Sequence, residues 1–156
     1  MHSVVFVDTS VMCNLARVPF RDQDAEEIIA EMSRRTKEEG ALFILPITTV
    51  IETGNHIAQV QDGYQRRKTA ERFVGFLKFI IAGQTPWVLH DVAWNKEFLQ
   101  MLIDGAGSGV SFLDHSTSKV GAGDLCILAE RNQYTQRTGV QASIWTLDTA
   151  LDAYNI

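Results

Sequence analysis

Four carboxylates sit where short apolar runs give way to helical patterns: Asp8 behind "VVFV", Glu52 soon after "LFILP", Asp124 at the head of "DLCILAE" and Asp148 behind "SIWTL". In parallel sheets the strand ends gather along one edge, where ligands bind, so these four acids can converge. Crowded carboxylates repel one another and take up protons unless a cation neutralises them. An all-oxygen set suits Mg2+ or Mn2+. Such a cation can polarise a phosphodiester, activate a water and steady a leaving oxygen, which makes metal-assisted phosphoryl hydrolysis the expected chemistry. Each acid taken alone has a local explanation. Aspartate is a favoured N-cap, and Thr49-x-x-Glu52 reads as a capping box. Ser or Asn would cap equally well, so the recurrence of ionisable acids at these joints is what implies a shared centre.

The elements that must position them follow from hydrophobic periodicity. Short apolar runs at 4–7, 42–46, 87–89 and 143–147 read as strands, and helical patterns fall at 10–16, 24–39, 48–60, 64–81, 94–103, 123–134 and 149–154. Asp24 with Glu27 resembles a capping box, Gly63 is read as closing the third helix, and Trp94, Phe98, Met101 and Leu102 are placed on one helical face. Residues 104–121, rich in Gly and Ser, read as a long loop of functional or mobile character. The expected fold is α/β, one domain over 1–156, with a mainly parallel central sheet and helices on both faces.

Of the 156 residues 46% are hydrophobic, enough for one buried core, and the net charge of -5 argues against a ligand held mainly by a basic surface. Cys13 and Cys126 lack zinc spacing and read as reduced thiols, which implies a cytoplasmic setting. The apolar stretch 73–83 is interrupted by Lys78 and is too short for a bilayer, so no membrane association is expected. The run 65–72 is basic; phosphate contact and a solvated helix start are both open to it. Phe73, Phe76, Leu77 and Ile80 recur at helical spacing, as a core or dimer face.

"VFVDTS", the acid of "TTVIET", "GAGDLCILAE" and "WTLD", in this order, resemble PIN-domain nucleases, in particular the toxin ribonucleases of VapBC-type toxin-antitoxin pairs. The resemblance spans nearly the whole chain. It implies a PIN-like three-layer sandwich and a metal-dependent endoribonuclease with Mg2+ or Mn2+ bound by Asp8, Glu52, Asp124 and Asp148. Ser10 and Thr146 match hydroxyl positions that support the acidic centre. By the same resemblance the partners are an RNA substrate, a small antitoxin protein covering the crevice, and a second copy in a homodimer. The Gly/Ser-rich stretch and the interval from Asp124 to Asp148 are longer than the family pattern. Asp152, one turn past Asp148, is a candidate fifth acid or a solvated helix residue. His56 shares a helix face with Glu52, and His115 lies beside Asp114; both read more simply as structural histidines.

Other classes fit less of the chain. "GAGD" resembles the anion hole of ribokinase-like kinases, but the chain is short for that fold. Haloacid-dehalogenase-type phosphatases want a second Asp two residues after the first, where Ser10 stands. A receiver-type phosphoacceptor would use Asp8 and leave the other acids without a shared purpose. A non-catalytic PIN-like module binding RNA or protein would use the acids only as caps.

Overall fold

The computed structural model describes residues 2–155. Three strands, β1 (Val4–Val7), β2 (Leu42–Ile44) and β3 (Ala142–Trp145), form a parallel sheet in the order β2-β1-β3. Val5 pairs with Phe43 on one side and Ser143 on the other. A central parallel strand is covered on both faces and carries no polar alternation, which is why "VVFV" is apolar throughout. Its alternating side chains feed two cores. Val5 and Val7 pack with Phe43, Trp145, Ile28, Ile57, Phe73 and Ile80. Val4 and Phe6 pack with Ile44, Ile144, Phe98, Leu102, Leu125 and Leu128.

Helices α1 (Thr9–Leu15), α2 (Ala25–Glu39), α3 (Ile47–Ala58) and α4 (Gly63–Ile81) supply the first core. Helices α5 (Lys96–Ile103), α7 (Ala122–Thr138) and α8 (Thr149–Asp152) supply the second, and α6 (Phe112–Thr117) joins them. The protein is thus an α/β sandwich of helix, sheet and helix layers. Among the described residues no helix is long and apolar enough to cross a membrane.

Several expectations are corrected. Gly63 opens α4 rather than closing α3, because Asp62 accepts the amide of Gln65 as N-cap. The 87–89 run makes only an isolated bridge from Trp87 to Phe43. Trp94 lies before α5, 69% exposed, because Asn95 caps the helix through the Phe98 amide. Asp24 stands at the N-cap of α2 but makes no side-chain cap. The 104–121 stretch is not a featureless loop. It contains α6, and buried His115 bonds to the Ser108 hydroxyl at 2.7 Å. Gly105 is required there: its φ of +89° is left-handed, and a Cβ would overlap the Val110 carbonyl. On α4, Phe73 and Ile80 are buried and Phe76 and Leu77 partly so, which places that face in the core.

Candidate active site at the sheet edge

All three strands end on the same edge, and there a pocket of about 390 Å³ is lined by Asp8, Glu52, Asp124 and Asp148 together. The end of β1 is anchored from both sides. The Asp8 amide donates to Trp145 O at 3.0 Å, and the Thr49 hydroxyl donates to Val7 O at 2.8 Å. Thr49 is fully buried in this role, and α3 begins at Ile47 behind Pro46. The capping box expected of Thr49 and Glu52 is therefore absent, and capping does not explain Glu52.

Asp8 is buried and occupies the N-cap position of α1 without a side-chain cap bond. Its Oδ2 instead accepts the Thr146 hydroxyl at 2.7 Å and the Ser10 hydroxyl at 2.9 Å. The Ser10 oxygen accepts the Leu147 amide, and Thr146 Oγ1 accepts the Asp148 amide. One network thus joins α1 to the segment after β3 and fixes the rotamer of Asp8. Sequence reasoning missed Thr9, whose hydroxyl donates to Glu52 Oε1 at 3.0 Å. Gly123 is the complement of that contact: a Cβ there would stand 3.0 Å from both Glu52 oxygens.

Asp124 sits in the first turn of α7, whose N-cap is Gly121. Burial, followed by the charges of Asp148, Asp8 and Glu52, pushes its carboxyl up to about 6. Burial and, after it, the neighbouring negative charges both disfavour the ionised form. Asp148 alone keeps its expected capping role, accepting the Ala150 amide at 2.9 Å. Asp152 does not line the pocket and accepts a bond from Asn155.

His56 also lines the pocket; burial, then the charge of Arg21, lowers its pKa. His115 does not line it. Two further residues went unnoticed in the sequence. Phe20, 90% exposed with φ +68°, and Arg21 stand at the pocket. Arg72 holds this turn by donating to Ala16 O and Arg17 O, so the basic run of α4 serves the fold at that position. Arg66 likewise bonds the Val60 carbonyl.

Glu130 is another residue the sequence did not expose. It is 1% accessible, and its carboxylate accepts the Ile47 amide at 3.1 Å, so α7 caps the helix that carries Glu52. Burial raises its pKa to about 7 against the opposing effect of the Ile47 and Thr48 amides.

Among the described residues no three His, Cys, Asp or Glu side chains converge into a coordinating group. Mg2+ keeps several of its waters and needs only one or two direct carboxylates, so a ring of acids around a pocket suits it. The carboxylate donors are all oxygen, burial and then their mutual repulsion raise Asp124, and Arg21 stands among the lining residues. The residues present therefore fit a hard divalent cation. If so, Gly123→Ala should displace the Glu52 carboxylate and raise the Mn2+ concentration needed for half-saturation, measured by calorimetry, with the circular dichroism spectrum unchanged. Comparison with protein-family models, with curated proteins and with solved structures finds no match for this chain.

Proposed function

We propose that this protein is a PIN-type, metal-dependent endoribonuclease acting as the toxin of a toxin-antitoxin pair. The observation that supports the reading is that Asp8, Glu52, Asp124 and Asp148, from four separate segments, line one pocket together with Asp24, with Asp8 held by hydroxyls instead of capping its helix. A haloacid-dehalogenase-type site is disfavoured by Ser10, which supports Asp8 as a donor where that chemistry needs a second carboxylate.

Asp8, Glu52, Asp124 and Asp148 would hold Mg2+ or Mn2+, directly or through water. The bound ion supplies Lewis-acid polarisation of the phosphodiester and a more acidic water. Ser10 and Thr146 both bond Oδ2 of Asp8, which leaves Oδ1 to the pocket. Thr9 restrains Glu52. Arg21 stands where it can meet a phosphate, and the exposed ring of Phe20 offers a stacking face for a base. No nucleophilic side chain is needed, and burial pushes the Cys13 thiol up to about 11.

Incubation of labelled RNA with Mn2+ or Mg2+ should give cleavage that EDTA stops. Cleavage that persists in both Asp8→Asn and Asp124→Asn would reject the site. Thr146→Val keeps the shape but removes the hydroxyl that orients Asp8, and should weaken Mn2+ binding by roughly 10- to 100-fold in calorimetry. Phe20→Ala should raise KM for RNA about tenfold with kcat little changed, while Phe20→Trp retains binding. The toxin role further requires an antitoxin over the crevice and is compatible with a homodimer. Cells that tolerate strong expression of the intact protein without an antitoxin would contradict the toxin role and leave the nuclease untouched.

A further inference from the structure

A second pocket, of about 280 Å³, shares no residue with the acidic one. It lies beside α7, where Leu128, Arg131, Asn132 and Thr135 fall on one helical face, and is closed by Ala106 to Ser108, Gln141 and Tyr154. Arg131 is only 8% exposed, and no carboxylate pairs with it among the described residues. Its Nε donates to Asn132 Oδ1 at 2.9 Å, and its terminal nitrogens reach Ala142 O at 3.5 Å and Tyr154 O at 3.3 Å. These three bonds leave two of the five guanidinium N–H groups over. Burial lowers its pKa. The Thr135 hydroxyl, lining the same pocket, is buried without a hydrogen-bond partner.

Buried charges are ordinarily paired, and buried hydroxyls are ordinarily bonded. Two departures in one small pocket ask for the same kind of ligand. It must be anionic, offer several acceptor oxygens and be compact. We propose that this pocket binds a phosphate-sized oxyanion, held by Arg131 and Thr135. The assignment does not depend on the nuclease reading, since no acid of the first pocket takes part.

The test titrates the full chain with inorganic phosphate by calorimetry, with a nucleoside 5′-monophosphate in a second arm. Saturation distinguishes a site from the general stabilising effect of phosphate as a salt. Saturable phosphate binding that weakens roughly fivefold in Thr135→Val, the loss of one neutral hydrogen bond, and vanishes in Arg131→Met supports the proposal. Competition by the nucleotide would identify the ligand as a phosphoryl end group, and its failure to compete would identify the free anion. Should Arg131→Met not fold, Thr135→Val and crystals soaked in selenate decide, with an anomalous peak beside Arg131 expected. Absence of saturable phosphate binding, affinity unchanged in Thr135→Val, or no peak in the pocket would overturn it.

Discussion

Asp8→Asn should lower metal-dependent RNA cleavage by on the order of a thousandfold, the cost of removing a preorganised charge from a reacting centre. The substitution separates charge from shape. Asparagine Oδ1 can accept the same two hydroxyls, Ser10 and Thr146, so the network around the end of β1 survives. What disappears is one negative charge from a pocket lined by five carboxylates, Asp24 included. The variant should therefore melt no lower than the parent in EDTA, because repulsion falls, while losing its stabilisation by Mn2+. A thermal melt with and without Mn2+, beside the cleavage assay, reads both outcomes. Parent-level cleavage in Asp8→Asn would exclude Asp8 from the chemistry.

The second large effect is on stability. Glu130 titrates at about 7 when folded, against an ordinary value of 4.5, because it is buried. Between those values the folded state holds a proton that the unfolded state has released, so stability falls as pH rises through the window. The contribution is fully present below about 4.5 and lost above about 7, and at about 1.4 kcal/mol per unit it amounts to about 3 kcal/mol. Glu130→Gln keeps an acceptor for the Ile47 amide and removes the titration. It should be more stable than the parent at pH 8 by an amount of that order, with a flatter dependence of stability on pH in urea denaturation. Equal pH profiles for the two proteins would show that Glu130 is not the group responsible.

The acids at the strand ends were legible because their positions are local facts. A charge directly behind a four-residue apolar run marks the end of a buried parallel strand, and β1 with Asp8 follows that rule, while Asp148 stands three residues past the end of β3. The helix-sheet-helix layering followed from the alternation of apolar runs and helical periods. Failures came where a residue's partner lies far along the chain. Thr49 and Glu52 match a capping box in spacing, yet Thr49 bonds Val7, 42 residues away. Glu130 looks like a solvated position on an amphipathic helix, yet its partner Ile47 is 83 residues distant. No local pattern carries such information. The α6 helix was hidden by surrounding Gly and Ser, and its signal was only the Ser111 cap ahead of Asp114. Phe20 and Arg21 offered no periodic signal, because they lie in a turn whose placement depends on Arg72 of α4.

The exposed charges of α2 pair largely among themselves, as Arg34 does with Glu31, Glu38 and Glu39. Such pairs add little stability individually.

The proposed sharing of a divalent cation by Asp8, Glu52, Asp124 and Asp148 is tested most directly by diffraction from crystals grown with Mn2+, collected at the manganese absorption edge. An anomalous peak inside the pocket, bonded to at least one of these carboxylates and absent from Asp8→Asn crystals, is the predicted result. A pocket without manganese in the parent protein, at concentrations that support catalysis, would contradict it.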